Sequence, residues 1–340
     1  MGLVGRFRGG LAHVNVLASL VFSGMTGSAI ADASGLGKLE IDAMRKEGYD
    51  DGFSCAITAA SATIGPIFPP SIPMVVYAML TGASVGALFM AGMVPGVLLA
   101  VALCVYVYFV AKKRNYPRTA PPKLRDYLLY LTKSIWAMLT PVILLVGIYT
   151  GIMTPTEAAA IAAFYGLIVG LFLYKEMDFK CLINSCIESC ETSAVIIVLM
   201  AMATLFGNIM TIEDVPGTIA RWMLSITESK IIILLLINVL LLIVGVFMEA
   251  LAAIVILTPI LLPVVTGVGV SPLHFGIIMV VNLAIGFLTP PVGVNLFVAS
   301  GVAQAKIEKI AVAVLPMIAL MLIVLAIITY CPSVPLMLVH

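Results

Sequence analysis

Two proline-rich stretches interrupt apolar segments at equivalent places in the two halves of this chain: residues 65–73 (GPIFPPSIP) and residues 286–294 (GFLTPPVGV). Proline lacks a backbone N–H and clashes with the preceding helical turn, so adjacent prolines unwind a helix. Unpaired backbone groups in hydrocarbon cost several kcal/mol each unless they are buried in protein or face a polar cavity. A broken helix in each half of a membrane protein therefore indicates the binding site of a transporter.

The composition of the chain places both stretches in a membrane. Hydrophobic residues make up 62% of the 340 residues and charged residues only 10%, against roughly 25% charged residues in a soluble domain. Apolar runs long enough to cross a bilayer recur along the chain. These runs lie at about 85–111, 134–150 extended by its flanks, 156–174, 192–211, 230–247 and 310–330. The sequence therefore predicts an all-α polytopic membrane protein.

The chain contains an internal repeat with four parts: a hairpin, a connector, a broken helix and a spanning helix. In the first copy, the apolar runs on either side of residues 23–28 are too short to cross the bilayer, which predicts a re-entrant helical hairpin. In the second copy, we expect the hairpin arms at about 230–247 and 250–266. The final span of each copy carries a proline near its start, Pro95 and Pro316.

The distribution of charge predicts the orientation of the two copies. When the basic cluster at residues 112–133 is placed in the cytoplasm, all but Arg221 and Lys230 of the 18 Lys and Arg residues fall on the cytoplasmic side, as the positive-inside rule requires. The first hairpin then enters the membrane from the cytoplasm and the second from the opposite face. Inverted repeats with breaks near the midplane are the architecture of alternating-access transporters.

The two copies differ in what precedes them. Three expected spans lie before the second hairpin, whereas only residues 1–10 lie before the first. If the halves are copies, about three spans are missing before residue 1, because the start is internal or misassigned or because the chain is a fragment. The alternative is a family whose halves are unequal.

Five segments carry a resemblance to a known family: residues 23–37 (SGMTGSAIADASGLG), 62–78 (ATIGPIFPPSIPMVVYA), 86–96 (GALFMAGMVPG), 257–264 (LTPILLPV) and 271–298 (SPLHFGIIMVVNLAIGFLTPPVGVNLFV). They resemble the large membrane subunit of tripartite ATP-independent periplasmic (TRAP) transporters. The resemblance implies a sodium-driven importer of organic acids that receives its substrate from a periplasmic binding protein and packs beside a small membrane subunit. It also implies an elevator motion of a transport domain against a scaffold, in a bacterial or archaeal inner membrane.

The repeat and the resemblance together predict the organisation of the chain. We assign residues 1–111 to the first repeat of the transport domain, 112–229 to scaffold spans and connectors, 230–330 to the second, inverted repeat, and 331–340 to a C-terminal tail. We expect no enzymatic activity, no nucleic-acid partner and no cofactor, with sodium acting as the coupling ion. The substrate remains open among sugar acids, dicarboxylates and keto acids.

The residues around the breaks supply the chemistry of an ion site. Sodium is a hard cation that prefers oxygen ligands, which freed carbonyls and nearby hydroxyls can provide. The predicted sodium-binding residues are Ser23, Thr26, Gly27, Ser28, Gly65, Pro66, Gly245, Met248, Glu249, Thr289, Pro290 and Gly293. Half-helix N-termini suit an anion, and the predicted substrate-binding residues are Pro69, Pro70, Ser71, Pro291 and Asn295. A helix cap or a bond to its own helix is the competing role for each hydroxyl.

Two other interpretations stay open at this point. A stand-alone sodium–carboxylate symporter would have the same hairpins but need no binding protein. A membrane enzyme would use Asp32 and Glu249 as an aspartyl-type pair, although glycine and proline, not a second aspartate, surround the breaks. For Asp32 we favour a structural role in the first hairpin, and for Asn282 either a substrate contact or a brace of the second hairpin.

Overall fold

A computed structural model of the chain describes residues 8–117, 124–226 and 229–339. Within these ranges every regular element is helical. The chain divides into two compact units: unit 1 comprises Met1–Pro122 and Asp214–His340, and unit 2 comprises Lys123–Glu213.

The first half of unit 1 contains a helical hairpin, a broken helix and a long span. Its helices are α1 (Gly10–Thr26), α2 (Ala29–Gly35), α3 (Gly37–Lys46), α4 (Asp51–Ala62), α5 (Ile72–Thr81) and α6 (Val85–Lys113). Helices α1 and α2 meet at Gly27 and Ser28, which form the tip of the first hairpin. Between α4 and α5 the chain leaves the helical conformation, so the first proline stretch interrupts a helix as predicted.

The second half of unit 1 repeats this order. Its helices are α10 (Val215–Ile226), α11 (Lys230–Phe247), α12 (Ala250–Gly267), α13 (Pro272–Gly286), α14 (Val294–Ala303) and α15 (Ile307–Tyr330). Helices α11 and α12 form the second hairpin, and the second proline stretch separates α13 from α14. Helix α10, which the sequence partition placed with residues 112–229, belongs to unit 1 because it packs on α12.

The two halves of unit 1 interlock through their broken helices. Every residue of α4 from Gly52 onward is buried, and so is every residue of α13 from His274 onward. Helix α4 packs against α1 and α3 of its own half and against α14 and α15 of the other half. Burial on all sides explains why neither buried stretch carries Asp, Glu, Lys or Arg, because a charged side chain is costly to bury without a partner.

Unit 2 consists of three helices: α7 (Leu124–Tyr149), α8 (Pro155–Ile168), which continues into a π-helical turn (Val169–Tyr174), and α9 (Phe179–Ile212). Helices α7 and α8 pack as a pair, and the Tyr165 hydroxyl donates to the Trp136 carbonyl at 2.9 Å. Thr154 and Glu157 form a capping box that begins α8, a reciprocal pairing that satisfies two free backbone N–H groups.

Six helical segments among the described residues are long and apolar enough to cross a membrane: Val85–Lys113, Pro155–Tyr174, Phe179–Met210, Lys230–Phe247, Ala250–Gly267 and Ile307–Tyr330. The prediction of a polytopic α-helical membrane protein is therefore confirmed. Helix α9 begins at Phe179 and so starts before the apolar run expected from residue 192. Its first turns are largely polar and therefore lie outside that run. In α7 the apolar part covers only Ser134–Tyr149.

Candidate functional site

The first break is organised by Ser71, which begins α5. Its side chain is buried and accepts a hydrogen bond from the Met74 N–H at 3.2 Å, while its hydroxyl donates to the Pro66 carbonyl. The peptide bond between Pro69 and Pro70 is cis. Ser71 was predicted to bind substrate, and here its hydroxyl caps a helix and closes the loop of the break.

The tip of the first hairpin lies directly against this break. Gly27 ends α1 with φ +60°, and a Cβ built on it would lie 2.7 Å from the Pro70 carbonyl oxygen. A Cβ on Gly65 would lie 3.1 Å from the backbone of Ser28, whose side chain caps α2. The glycines therefore allow the backbones of tip and break to approach one another closely.

The other predicted hydroxyls of the first hairpin bond to their own helix. Ser23 is buried and donates to the Leu20 carbonyl at 2.6 Å, and Thr26 donates to the Phe22 carbonyl at 3.5 Å. Each hydroxyl hydrogen is thus directed into α1. The oxygen atoms keep lone pairs, so these bonds leave both residues able to act as ligands.

The second hairpin tip is built on Glu249. Helix α11 ends at Phe247, Met248 is extended, and the Glu249 carboxylate accepts hydrogen bonds from the Leu251 and Ala252 N–H groups at 2.9 and 3.3 Å. An ionised carboxylate at a helix N-terminus is stabilised by those donors and by the helix dipole. The carboxylate therefore caps α12 at the tip of the second hairpin.

The second break begins where α11 and α13 pack most closely. A Cβ on Gly286 would lie 2.7 Å from the Gly245 Cα, so α11 and α13 pack backbone against backbone at the start of the break. The Thr289 hydroxyl donates to the Ile285 carbonyl at 2.9 Å. The Pro290–Pro291 peptide bond is cis, as in the first break, and Gly293, with φ +54°, precedes α14.

Asn295 connects the second break to the first half of unit 1. It is fully buried, its backbone N–H donates to the Phe287 carbonyl at 3.1 Å, and its side-chain amide donates to the Ala59 carbonyl of α4 at 3.4 Å. Its Oδ1 atom accepts no hydrogen bond from the described residues. Asn295 was predicted to bind substrate; in the structure its side-chain amide is bonded to the backbone of α4.

Both hairpin tips and both breaks contribute to one small cavity. This cavity, of about 50 Å³, is lined by Gly27 and Ser28 of the first tip, Pro66 of the first break, Glu249 of the second tip and Phe287 of the second break. A neighbouring cavity of about 250 Å³ is lined by residues that include Thr26, Pro70 and Ser71. The Ser28 hydroxyl and the Glu249 carboxylate thus belong to residues that line the first cavity, and the Thr26 and Ser71 hydroxyls to residues that line the second.

Buried asparagines and hydroxyls brace the hairpins against the broken helices. In the first half, the Ser61 hydroxyl of α4 donates to Asn15 Oδ1 of α1 at 2.7 Å. In the second half, the Asn282 amide of α13 donates to Asn238 Oδ1 of α11 at 2.6 Å. Asn282 therefore braces the second hairpin, one of its two expected roles. Asn238 was missed, although it is the one polar residue between Ile231 and Phe247.

Replacing Asn282 by leucine is expected to lower the stability of the protein, because Asn238 then keeps a buried carbonyl oxygen with no donor. An unsatisfied buried polar group costs about 1–3 kcal/mol. The measurement is the thermal midpoint of the purified protein in detergent. The double variant with Asn238→Leu should recover part of the loss, and equal destabilisation in the single and double variants would contradict the brace.

Comparison with known proteins identifies a family. Residues 1–334 match the family described as the tripartite ATP-independent periplasmic transporter, DctM component. The chain is 56% identical over 334 residues to the isethionate TRAP transporter permease protein DctMQ of Oleidesulfovibrio alaskensis, covering 98% of the chain and 53% of that protein. The chain therefore spans about half the length of that relative.

Two further relatives have names that point to other organic acids. The sialic acid TRAP transporter large permease protein SiaM of Vibrio cholerae is 44% identical, over 99% of the chain and 79% of that protein. The C4-dicarboxylate TRAP transporter large permease protein DctM of Pseudomonas aeruginosa is 43% identical, over 98% of the chain and 78% of that protein.

Proposed function

Because this chain belongs to the DctM component family of tripartite ATP-independent periplasmic transporters, we propose that it is the membrane permease subunit of a sodium-coupled importer of organic acids. The family consists of transporter permease components, so the chain is a multi-pass inner-membrane protein and not an enzyme. The substrate would arrive on a periplasmic binding protein, and a small membrane subunit would pack beside the permease.

The convergence of the two hairpin tips and the two breaks on one cavity carries this proposal. Four chain segments that are distant in sequence bring unwound backbone, hydroxyls and the Glu249 carboxylate together inside an apolar unit. Backbone of this kind is tolerated at membrane depth only where it is buried or lines a cavity. Oxygen-rich breaks suit sodium, and the half-helix N-termini of α5 and α14 suit an organic anion.

The proposed sodium ligands follow from this arrangement. The first site would use the hydroxyls and carbonyls of the first tip and break: Ser23, Thr26, Gly27, Ser28, Gly65 and Pro66. The second would use the corresponding groups of the second half: Gly245, Met248, Glu249, Thr289, Pro290 and Gly293. The anion would lie between the breaks near Pro69, Pro70, Ser71, Pro291 and Asn295, of which Ser71 and Asn295 are already engaged as cap and brace.

The proposed mechanism is an elevator cycle. Unit 1 contains both hairpins and both breaks and is assigned as the transport domain, while unit 2 is assigned to the scaffold. The two hairpins would be re-entrant from opposite faces of the membrane, as the distribution of Lys and Arg supports. Each hairpin could then open the site to one side, which is the requirement for alternating access.

The names of the relatives, which include isethionate, sialic acid and C4-dicarboxylates, support an organic anion as the proposed substrate class. All of these are organic anions. Isethionate is the first candidate to test, since the identity to the isethionate permease is 56% over 98% of the chain.

Uptake into proteoliposomes tests the proposal. The chain, reconstituted with a small membrane subunit and a candidate binding protein loaded with radiolabelled anion, should accumulate the anion when a sodium gradient is imposed. Replacing external sodium by potassium should abolish uptake. Full transport driven by a proton gradient in sodium-free buffer would contradict sodium coupling.

The same assay distinguishes the stand-alone symporter. Without the binding protein, uptake should fall to the level of empty liposomes at every anion concentration tested. Saturable sodium-driven uptake in its absence would instead favour a stand-alone sodium–carboxylate symporter.

A further inference from the structure

A cavity of about 560 Å³ lies within unit 1 where α6 ends and α15 begins, beside the first turn of α4. Its volume falls within the range of ligand pockets, about 300–1,000 Å³. Arg114 and Lys309 line it and belong to the basic residues that the positive-inside rule places at the cytoplasmic face. None of the residues proposed above for sodium or substrate lines this cavity, so it is a separate feature of the molecule.

Arg114 is held at the wall of this cavity by its neighbours. Its Nη1 atom donates to the Tyr116 hydroxyl at 3.2 Å and lies 3.5 Å from Asp50 Oδ2. The guanidinium also lies over the Phe53 ring, 5.8 Å from the ring centroid. Among the described residues only Nη1 donates hydrogen bonds, so Nε and Nη2 keep N–H groups for a ligand. A guanidinium placed in this way suits a phosphate, which it can bind through two parallel hydrogen bonds.

Glu308 and Lys309 bring a second pair of opposite charges to the cavity from the first turn of α15. Both side chains are exposed, and in the part of the chain that the structure describes neither forms an ion pair. With Asp50 and Arg114 they give the lining two negative and two positive charges. A bare phosphate would be attracted by the two cations but repelled by the two carboxylates. The lining therefore suits a zwitterion that carries both a phosphate and an ammonium group.

The chemistry of the lining changes with depth along both membrane spans. On α15 the charged Lys309 is followed in the lining by Val312, which is 70% exposed, and by Pro316. On α6, Tyr106 lines the cavity two turns before Arg114. At 1.5 Å of rise per residue, the charged and apolar ends lie about 10–12 Å apart along each helix. This is the order of a headgroup and its acyl chains in a phospholipid.

We propose that this cavity binds one phospholipid whose headgroup carries a primary ammonium, such as phosphatidylethanolamine. The phosphate would accept hydrogen bonds from Arg114 and Lys309, and the ammonium would donate to Asp50 and Glu308. An acyl chain would run along the apolar end, past Val312. Basic pockets between spans at the cytoplasmic face commonly hold lipid headgroups, and here the two carboxylates select for the amine. The site does not depend on sodium coupling or on the transported anion, because it requires only that the chain lies in a membrane.

Native mass spectrometry of the purified, delipidated chain in detergent tests this site. The probes are phosphatidylethanolamine and phosphatidylglycerol with identical acyl chains. The first phosphatidylethanolamine should bind roughly tenfold more tightly than phosphatidylglycerol, which has a phosphate but no ammonium to meet the carboxylates. Equal or tighter binding of phosphatidylglycerol would overturn the proposal.

A competition experiment separates a membrane lipid from a soluble ligand. Glycerophosphoethanolamine has the same headgroup without acyl chains, so it should displace the bound lipid only at a large excess. Displacement at equal concentration would show that the cavity takes a soluble phosphate ester and that the assignment to a lipid is wrong.

Lys309→Gln tests the phosphate contact. It removes a charged donor and should weaken phosphatidylethanolamine binding roughly tenfold. Lys306→Gln is the matched control, because Lys306 is also an exposed lysine at the start of α15 but does not line the cavity. The control should bind lipid as the wild type does, and equal affinities of the two variants would contradict the site.

Glu308→Gln tests the ammonium contact and keeps the test decisive if Lys309→Gln does not fold, as judged by gel filtration and circular dichroism. The variant keeps the shape of the side chain and removes its charge. It should reduce the preference for phosphatidylethanolamine over phosphatidylglycerol severalfold, because one of the two carboxylates that face the ammonium is lost. An unchanged preference in the folded variant would count against the recognition of the amine.

Discussion

Replacing Gly27 by alanine is expected to lower substrate uptake strongly while the protein still inserts and folds. Gly27 has φ +60°, and the added Cβ would lie 2.7 Å from the Pro70 carbonyl oxygen and 3.2 Å from the Ile72 nitrogen. Both are backbone atoms of the first break, so the clash is relieved only when the hairpin tip moves away from the break. Uptake should fall roughly tenfold or more, since about 1.4 kcal/mol lost at the site corresponds to a factor of ten.

Gly82→Ala is the matched control for this variant. Gly82 also ends a helix in the left-handed region, with φ +72°, but nothing lies within 4 Å of the Cβ that alanine would add. Both variants carry the cost of a left-handed alanine, about 1–2 kcal/mol, and only Gly27→Ala adds the collision. Equal uptake by the two variants would show that close contact between tip and break is not needed for transport.

The positions of the broken helices could be predicted from the sequence because prolines act locally. Pro69, Pro70, Pro290 and Pro291 each remove a backbone donor, and the structure leaves the helical conformation at both pairs. The repeated order of hairpin, break and span could also be predicted, because the lengths of the apolar runs and the positions of the glycines indicate it. The start of helix α9 at Phe179 was not predicted from the sequence. Hydropathy identifies segments that suit lipid, and the first turns of this helix are largely polar.

The contacts within the site depend on tertiary packing and were less predictable. Nothing local to Asn15 or Ser61 indicates that they meet, because they lie on α1 and α4, which come together only when the chain folds. The roles of the hydroxyls were equally open: Ser71 caps α5, whereas Thr289 bonds back to its own helix. In each case the sequence shows a serine or threonine beside a proline break but does not show which group its hydroxyl bonds to.

Replacing Thr289 by valine is expected to weaken the sodium dependence of uptake. Valine keeps the branched shape of threonine and removes the hydroxyl. In the structure this hydroxyl donates its hydrogen to the Ile285 carbonyl at 2.9 Å, which leaves the oxygen lone pairs free to face a cation beside the second break. Losing one oxygen ligand of several should cost about 1–3 kcal/mol. The sodium concentration for half-maximal uptake should therefore rise roughly ten- to hundredfold.

Ser71→Ala provides the comparison from the first break, because the Ser71 hydroxyl is already engaged with the Met74 N–H and the Pro66 carbonyl. Loss of a helix cap costs about 0.5–2 kcal/mol of stability, so this variant should lower the thermal midpoint and change the sodium half-saturation much less. Uptake measured against sodium concentration for both variants separates a ligand from a cap. If Thr289→Val lowers the thermal midpoint but leaves the half-saturation unchanged, its hydroxyl only bonds to its own helix and Thr289 is not part of the sodium site.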